Sequence, residues 1–563
     1  MPDNSSPLPE RVRAAHSRDT DQDAPPALPY RNIGDVLEHH ADVYEQKPFL
    51  VFYSEEGQRS EISYREFHEE VCKSANALRT LGIGRGSRVA TISFNHPDLV
   101  THYFAAFLLG AVIVTVDPLA DEEQIAKTLR HAGASVALVR DRLVDTIIKL
   151  RPPSLTTIVE VGSHLHTDLP HWQTLLQTQL PRFIVRDAVA SDAAAMVIAA
   201  SGIEGATAWV TLTHENVLTE TLSIAETLKI SDDQKLMCVL PVYHANGLLT
   251  TLMTPFLAGG GVVLNQRFQS EMFFERISIE RVTMVGLVPA LLRSLIRAKL
   301  DMEAYKLAQF RCVLCSNGPL TVELAQKFEQ TFRIPLVHCY GLTETSSLCS
   351  SLPAELPAQE HKAWLTKHGF PSIGTPLPLC EMNIHDGEGN EMGEKERGEI
   401  VVRGPNVMAG YDDDAVATEA AFAHGWLRTG DEGFFHYDEE GRKFYFITGR
   451  MREMIMRGGS AIPPMEVDEV LARIPGIELG IAVGFDNDAC GREVGAVVKV
   501  KDGAIVTEDA VLAFCQKHLP FAMRPKAVVL QTSIPVTPAG KYRRQECASL
   551  FARWKATRFS EQA

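Results

Sequence analysis

Helical and strand-like patterns of hydrophobic positions alternate from Tyr30 to about Val210. Segment 67–78 has helical spacing, with its apolar side chains on one face. A helix beginning at Pro97 is followed by an apolar strand at Val112–Val116. The alternation resumes from Lys235 to about Ser350. This pattern predicts parallel sheets covered by helices, with ligand sites at the carboxyl ends of the strands.

From about Gly369 the pattern changes to short alternating strands separated by Gly, Asp and Glu turns, which indicates a mainly β subdomain. A smaller α/β unit follows Arg450, with helix, strand and helix predicted at Pro464–Ala472, Glu478–Gly484 and Thr507–His518. The predicted fold class is α/β, with a large N-terminal domain of parallel sheets plus a β subdomain, and a small C-terminal α/β domain. The expected divisions are a disordered tail at 1–28, an N-terminal domain at 29–450, a lid domain at 451–550 and a tail at 551–563.

Composition and charge narrow the class of protein. A chain of 563 residues with 45% hydrophobic and 22% charged residues is typical of a globular protein with more than one domain. The formal net charge of −16 argues against a nucleic-acid partner, because a duplex-binding surface needs clustered Lys and Arg. No signal peptide is predicted. The longest apolar stretch, Tyr103–Val116, is shorter than the ~20 residues of a membrane-spanning helix. We therefore expect a cytoplasmic protein without a membrane span.

The ten cysteines are scattered singly along the chain, except for Cys312 and Cys315. These two lie in an apolar, strand-like run, where residues three apart point to opposite faces and cannot easily share a metal. No second closely spaced pair accompanies them. The pattern favours core thiols in a reducing compartment over a zinc or redox site.

The strongest local motif is Tyr340-Gly-Leu-Thr-Glu-Thr345, which follows an apolar strand. Gly341 permits a tight turn and Thr343 offers a hydroxyl to a phosphate. Glu344 supplies a hard oxygen suited to Mg²⁺. The alternative interpretation is a helix N-terminus with a threonine cap and an acidic first turn.

Three further motifs each have a functional and a structural interpretation. In Gly425-Trp-Leu-Arg-Thr-Gly-Asp431, Asp431 is predicted at a strand end, where a carboxylate can accept ribose hydroxyls; the alternative is a simple turn. For the segment from Ile447 through Arg450 to Gly458-Gly459, the structural interpretation is a glycine-rich linker between domains. In Pro535-Val-Thr-Pro-Ala-Gly-Lys541, the lysine alone would usually be a solvated surface charge.

In this order and spacing, the four motifs resemble the signature blocks of the adenylate-forming superfamily, in particular the AMP-dependent acyl-CoA synthetases. The resemblance extends from about Tyr30 to Leu550 and includes Pro241-Val-Tyr-His-Ala-Asn-Gly247 and Ser316-Asn-Gly-Pro-Leu320. Such enzymes activate a carboxylic acid with MgATP as an acyl-adenylate and then transfer the acyl group to a thiol. The resemblance implies ATP, Mg²⁺ and coenzyme A as cofactors, and a small-molecule carboxylic acid as substrate.

The resemblance also implies roles for individual residues. In the nucleotide site, Thr343 would bond the α-phosphate and Glu344 would hold Mg²⁺. Asp431 and Arg450 would bind the ribose. The adenine slot would be lined on its two sides by Ser316, Asn317, Gly318 and Pro319, and by Cys339, Tyr340 and Gly341.

The remaining implied roles concern the acyl pocket and a mobile small domain. His244 resembles the family's histidine at the acyl pocket. Lys541 would reach in from the small domain to stabilise charge on the α-phosphate. Arg452 lies where the family's small domain pivots, and its rotation would withdraw the lysine and open a thiol tunnel near Gly458 and Gly459.

The phosphate loop departs from the family pattern of a Ser/Thr/Gly-rich run ending in Pro-Lys-Gly. The loop retains Ser201, Gly202 and Gly205, whereas its other family positions hold Ile203, Glu204 and Ala208. An acidic side chain beside a triphosphate is unfavourable by about 1 kcal/mol or more at short range. Backbone N–H groups at the glycines could still bind phosphates.

This departure leaves three interpretations open. The first is a working acyl-CoA synthetase with a weakened loop, and the second is an adenylating enzyme with another acceptor, such as a carrier-protein thiol or an amine. The third is a pseudoenzyme that binds nucleotide without turnover. Catalysis is favoured because the chain retains Thr343, Glu344, Asp431, Arg450 and Lys541.

Overall fold

The computed structural model of the protein describes residues 10–17, 28–163, 165–184, 188–201, 207–536 and 542–559. The first part of the chain alternates helices with mostly buried strands. In chain order its elements are α1 (Glu10–Ala15), α2 (Ile33–Val43), β1 (Pro48–Tyr53), β2 (Arg59–Ser63), α3 (Tyr64–Thr80), β3 (Arg88–Ile92), α4 (Pro97–Leu109), β4 (Val112–Val116), α5 (Glu122–Ala132), β5 (Val136–Arg140), α6 (Val144–Leu150), β6 (Thr157–Val161), α7 (Trp172–Gln177), β7 (Ala194–Ser201), β8 (Thr207–Thr213) and α8 (His214–Leu228).

The middle of the chain continues this alternation and contains one π-helical segment, Asn246–Met253. Its other elements are β9 (Lys235–Cys238), α9 (Thr254–Leu257), β10 (Gly261–Asn265), α10 (Phe273–Glu280), β11 (Met284–Leu287), α11 (Pro289–Ala298), β12 (Cys312–Cys315), α12 (Val322–Phe332), β13 (Leu336–Tyr340), β14 (Ser350–Ser351) and α13 (Ala358–Thr366). Strands then dominate: β15 (Thr375–Pro376), β16 (Glu381–His385), β17 (Gly398–Arg403), β18 (Gly410–Tyr411), α14 (Ala415–Ala421), β19 (Leu427–Tyr437) and β20 (Lys443–Arg450).

The last part of the chain forms the small domain. Its elements are β21 (Ile455–Arg457), β22 (Ser460–Ile462), α15 (Pro464–Ala472), β23 (Ile477–Asn487), β24 (Gly491–Val500), α16 (Glu508–His518), β25 (Ala527–Leu530) and α17 (Arg544–Ala548). Short 3₁₀ turns connect elements throughout, at Asp141–Leu143, Met302–Ala304, Thr343–Thr345, Ala423–Gly425, Met451–Glu453, Phe521–Met523 and Ser549–Trp554.

In the described part of the chain, these strands form four sheets. The largest has the order β15-β14-β13-β12-β11-β9-β10-β1-β2, and its strands from β13 to β1 run parallel. The second has the order β18-β8-β7-β4-β3-β5-β6, with β7, β4, β3, β5 and β6 parallel. Helices cover both sheets, which confirms the predicted α/β class with parallel sheets.

The other two sheets are largely antiparallel. The β subdomain is the sheet β16-β17-β19-β20, as its alternating pattern predicts. The small domain holds β22-β21-β24-β23, with β25 parallel to β24. Strand β20 ends at Arg450, and β21 pairs with the small domain's β24, so the chain passes from one domain to the other between these strands.

Local sequence explains why helix α3 begins where it does. Ser63 and Glu66 form a reciprocal capping box, in which Glu66 N–H donates to Ser63 Oγ and Ser63 N–H donates to the Glu66 carboxylate. The predicted apolar face is fully buried, from Phe67 through to Leu78.

The apolar stretch Tyr103–Val116 is the end of α4 followed by β4, as predicted. Among the described helices, none has both the length and the hydropathy to cross a membrane.

The paired cysteines lie on opposite faces of β12, as predicted. Cys312 packs in the core between the two large sheets, whereas Cys315 packs in the core on the other face. All ten cysteines are free thiols. Burial raises the pKa of Cys312 to about 12, which is the behaviour of an inert core thiol.

The prediction of a disordered tail at 1–28 was wrong for residues 10–17. Helix α1 buries Val12 and Ala15 completely against the β subdomain. Ala15 C=O accepts from Gly404 N–H at 2.9 Å, and a His16 ring nitrogen lies 2.9 Å from Met408 C=O. Composition missed this helix because so short an amphipathic segment is stabilised by tertiary contacts rather than by its own propensity.

The C-terminal tail predicted at 551–563 was also wrong for the residues that the structure describes there. Phe551 is fully buried and stacks on Phe485, with ring centroids 4.9 Å apart. Asn487 Nδ2 donates to the carbonyl of Thr557 at 3.0 Å. The segment completes a core of the small domain, because its aromatic side chains fill space that the sheet leaves open.

Candidate active site

A cleft with about 890 Å³ of empty space, counting its open mouth, lies where the large parallel sheet, the β subdomain and the small domain meet. It is lined by the ends of β12 and β13, by the paired strands β19 and β20, and by residues of the small domain. This is the carboxyl edge of a parallel sheet, where ligand sites are expected in open α/β folds.

Most of the residues predicted for the adenine slot line this cleft. Its lining includes Asn317, Gly318 and Pro319 after β12, and Cys339, Tyr340 and Gly341 at the end of β13. Asn317 adopts a left-handed conformation with φ of 66°, which turns the chain away from the strand. A side chain at position 341 would collide with the carbonyl of Ser347, so glycine is required there.

Ser316 is the exception among the residues predicted for the slot. It is buried one position before the lining residues, and its Oγ accepts from Asn246 Nδ2 at 2.5 Å. Ser316 therefore supports the slot from behind rather than lining it. Asn246, from the motif at 241–247, uses its amide in this internal hydrogen bond.

The ribose-binding prediction rests on Asp431 and its partners. Asp431 lies inside β19, opposite Arg450 in β20, and not at a strand end as the sequence suggested, because its motif forms the strand rather than a turn after it. Tyr340 O–H donates to Asp431 Oδ2 at 2.8 Å. Burial and the charge of Asp431 raise the pKa of Tyr340, so its hydroxyl stays protonated as a donor.

The second oxygen of this carboxylate is available to a ligand. Arg450 Nε lies 3.2 Å from Asp431 Oδ1, an ion-pair distance without hydrogen-bond geometry. Asp431 is 1% exposed, and none of the described residues donates a hydrogen bond to Oδ1. A buried carboxylate oxygen without a donor is unfavourable, so a ligand hydroxyl at this place would be stabilised. Asp431 also raises the pKa of the Arg450 guanidinium.

Thr343 and Glu344 follow the slot in a single 3₁₀ turn, Thr343–Thr345. Glu344 is buried, and its Oε1 accepts from Tyr411 O–H at 3.0 Å. No described residue donates to its other oxygen, which could therefore coordinate a cation. Tyr411 was not predicted from the sequence. Burial and the nearby Glu344 raise the pKa of Tyr411, which keeps it a donor.

His244 lies just before the π-helical segment and does not line the cleft. Its Nε2 is 3.8 Å from Asp117 Oδ2, and its ring is tilted against Tyr243 with centroids 4.8 Å apart. The structure thus gives His244 an acidic neighbour, while its predicted contact with the acyl group remains a prediction.

The predicted residues of the small domain are only partly described. Lys541 lies outside the described residues, as do Gly202 and Gly205 of the phosphate loop, and Ser201 is described only as the last residue of β7. Gly458 and Gly459 form the two-residue turn between β21 and β22, both with positive φ, and do not line the cleft. Arg452 lies in the 3₁₀ turn that follows β20.

Residues of the small domain that sequence reasoning missed close one side of the cleft. They are Glu453, Met465, Tyr542 and Arg544. Tyr542 accepts a hydrogen bond from Arg293 Nη2 of α11 at 2.8 Å, which joins the two domains. Arg544 pairs with the buried Asp468 and with Glu453. Only the proximity of Tyr542 and Arg544 to Lys541 in the chain could have signalled them.

Comparisons with known proteins agree with this geometry. The family model for AMP-binding enzymes matches residues 37–412, more than half of the chain, and the model for the AMP-binding enzyme C-terminal domain matches residues 466–541. A 2-succinylbenzoate–CoA ligase of Bacillus cereus is 29% identical over 493 residues, which cover 88% of this chain and 94% of that protein. An oxalate–CoA ligase of Arabidopsis thaliana is 27% identical over 502 residues, with coverage of 87% and 93%.

A solved structure shows the same architecture. The o-succinylbenzoate coenzyme A synthetase of Bacillus subtilis, in complex with ATP and a magnesium ion, superposes with a TM-score of 0.76 at 25% identity. The alignment covers 91% of this chain and 98% of that one. The motifs, the cleft and both domain matches lead to one assignment: the chain belongs to the family of AMP-binding enzymes, within the adenylate-forming superfamily.

Proposed function

We propose that this protein is an AMP-forming acid–CoA ligase, which activates a carboxylic acid with ATP and transfers the acyl group to coenzyme A. One observation carries the proposal. The buried carboxylate of Asp431 pairs with Arg450 and accepts from Tyr340, and among the described residues its other oxygen has no donor, beside a slot shaped by the ends of β12 and β13. A nucleoside fits this arrangement, with its base in the slot and its ribose hydroxyls on Asp431.

The chemistry proceeds in two steps. An oxygen of the acid attacks the α-phosphorus of ATP, and the bond to the β-phosphate oxygen breaks, so that pyrophosphate leaves with the electron pair. The thiolate of coenzyme A then attacks the acyl carbon, and AMP leaves with the electrons of the acyl–oxygen bond. The relatives named as CoA ligases support coenzyme A as the acceptor.

The residues of this chain would contribute orientation and charge. Asp431 and Arg450 hold the ribose, which fixes the α-phosphate relative to the turn at Thr343. A magnesium ion bound by Glu344 would neutralise phosphate charge. Lys541 would stabilise the charge that develops on the α-phosphate during adenylation. Its neighbour Tyr542 lines the cleft.

An ATP–pyrophosphate exchange assay tests the first step. The full-length protein is incubated with MgATP, labelled pyrophosphate and a panel of dicarboxylic, aryl and fatty acids, with reactions lacking acid as the control. Acid-dependent exchange is the expected result. Nucleotide binding without exchange on any acid would instead identify a protein that binds nucleotide without turnover.

Mass spectrometry tests the acceptor. Adding coenzyme A to an acid that supports exchange should give the acyl-CoA thioester and AMP in equal amounts. Exchange without thioester formation would contradict coenzyme A as the acceptor. It would then favour a carrier-protein thiol or an amine, which can be supplied in the same assay.

A further inference from the structure

Helix α8 buries several polar side chains, and two of them, Asn216 and Glu220, lie one helical turn apart on the same face. Neither lines the cleft. Asn216 is 4% exposed and Glu220 is fully buried. Burying a carboxyl group is unfavourable unless specific partners compensate for the lost water. The partners of these two residues therefore indicate what they do.

Both side chains bond to segments that flank Glu344. Asn216 Nδ2 donates to the carbonyls of Pro405 and Val407, each at 2.8 Å. Glu220 Oε1 accepts from the backbone N–H of Leu348 at 2.5 Å. Its other oxygen accepts from Asn406 Nδ2 at 3.2 Å. Helix α8 thus holds the turn after Glu344 and the loop at 404–408 at the same time.

The two segments are in turn joined to each other around Glu344. Met408 N–H donates to the carbonyl of Glu344 at 2.8 Å, and Ser346 Oγ donates to the carbonyl of Asn406 at 2.6 Å. Tyr411, at the end of the same loop, donates to the Glu344 carboxylate. Displacement of either segment would therefore move the Glu344 side chain.

The turn itself is under backbone strain. Ser346 has φ of 66° and ψ of −38°, a region that non-glycine residues rarely occupy. Such a conformation persists only when the surrounding structure holds it in place. The hydrogen bond from Leu348 to Glu220 lies two residues beyond this point and is one of the contacts that restrain it.

We propose that Glu220 is a positioning residue, which acts through Leu348 and Asn406 to hold the Thr343–Glu344 turn in the geometry that receives the magnesium-bound phosphates of ATP. The inference rests on the proposed function and deepens it. A carboxyl group suits this place because two N–H donors approach its two oxygens, and an amide could accept only one of them. Burial raises the pKa of Glu220, and the hydrogen bonds from Leu348 and Asn406 oppose that rise because they stabilise the ionised form.

Calorimetric binding of MgATP and of AMP, without acid and therefore without turnover, tests the proposal. Both nucleotides use the adenine slot, Asp431 and Thr343, whereas only MgATP also needs the magnesium ion held by Glu344. Loss of both hydrogen bonds in Glu220→Leu should weaken MgATP about tenfold or more, while the Kd for AMP stays within about twofold. Glu220→Gln keeps the acceptor for Leu348 and should weaken MgATP about threefold.

Thr221→Val is the matched control on the same helix. Thr221 is buried, and its hydroxyl bonds only to carbonyls of its own helix, Val217 and Leu218. It should leave both affinities unchanged. If Glu220→Leu does not fold, Glu220→Gln alone decides. The proposal is overturned if a folded Glu220 variant keeps the wild-type ratio of MgATP affinity to AMP affinity. This holds whether both affinities are unchanged or both fall equally.

Acid-dependent exchange by the wild-type protein separates this inference from the proposed function. If the wild type exchanges pyrophosphate and the Glu220 variants do so with unchanged MgATP dependence, the positioning role fails while the function stands. If the wild type binds MgATP and shows no exchange with any acid, the proposed function fails. The affinity ratio then still reports whether Glu220 holds the turn.

Discussion

Replacing Asp431 by asparagine removes the negative charge at the centre of the proposed ribose site while keeping its shape. The wild-type carboxylate accepts from Tyr340 at 2.8 Å and pairs with Arg450 at 3.2 Å, with Oδ1 left for a ligand hydroxyl. An asparagine has one acceptor oxygen, so it can serve Tyr340 or the ribose but not both. One charge-assisted hydrogen bond to the nucleotide is therefore lost.

The magnitude follows from this loss. A hydrogen bond to a charged group contributes about 1.5–3 kcal/mol, and each 1.4 kcal/mol is about tenfold in affinity. We expect the KM for ATP and the Kd for AMP both to rise by about 10- to 100-fold. Because the ribose contact is made equally in the ground and transition states, kcat should stay within about threefold of the wild type. The assay is ATP–pyrophosphate exchange at saturating acid, paired with calorimetry for AMP.

The chain offers a closely matched control at Glu280. This buried carboxylate also accepts from a tyrosine, Tyr53, at 2.7 Å and from an arginine, Arg59, at 2.7 Å, but it lies outside the cleft. Glu280→Gln should lower the melting midpoint, since the buried side chain at 280 loses its charged hydrogen bond with the half-exposed Arg59. It should leave nucleotide affinity unchanged. The reasoning is refuted if Asp431→Asn has no larger effect on AMP affinity than Glu280→Gln.

Three further outcomes are expected. Lys541→Ala should abolish acid-dependent exchange, yet leave thioester formation from supplied acyl-adenylate nearly intact; equal loss of both would contradict a lysine that acts in one step. Burial raises the pKa of Glu469 from 4.5 to about 8. Between these pH values the folded protein keeps a proton that the unfolded chain releases, so the free energy of unfolding falls as pH rises through this window. Glu469→Gln should flatten melting midpoints over that window, and an unchanged slope would refute the assignment. Deleting residues 1–17 should destabilise the large domain by about 2 kcal/mol, since a buried valine contributes about that much; a melting midpoint equal to that of the full chain would contradict the packing of α1.

Local pattern predicted the elements, and the family resemblance predicted which residues gather at the site. The resemblance assigns Asn317 to Pro319 and Cys339 to Gly341 to one slot, and these residues meet in the cleft at the carboxyl ends of the parallel strands β12 and β13. The buried face of α3 follows from its helical spacing alone. There a short-range pattern determines which way the side chains point.

Local patterns could not predict contacts that depend on how distant segments of the chain pair in the fold. Asp431 and Arg450 face each other because of the register in which β19 and β20 pair, which shifts between Glu432 and Gly433. Tyr411 reaches Glu344 only because a loop distant in the chain folds over the turn. Helix α1 was missed since its stability comes from surfaces that composition does not reveal.

If Lys541 acts in adenylation and the Gly458–Gly459 turn in thiol transfer, as the resemblance implies, the arrangement of the domains suits the first chemical step. Tyr542, next to Lys541 in the chain, lines the cleft, whereas the Gly458–Gly459 turn does not. Polar contacts between the domains include Arg293 with Tyr542, Arg297 with Glu478, and Val322 N–H with the Glu469 carboxylate.

Of these three contacts, only Arg297 with Glu478 is an ion pair, and because Arg297 is half-exposed this pair contributes at most about 1 kcal/mol. The hydrogen bonds contribute about 0.5–1.5 kcal/mol each, so the polar contacts can be broken at modest cost. Rotation of the small domain about the segment at Arg452 is the hinge motion that the sequence predicts. The thiol-transfer step would then require this polar interface to separate while the Asp431 and Arg450 pair keeps its hold on the nucleotide. That pair lies within a single sheet of the large domain, so the two requirements are compatible.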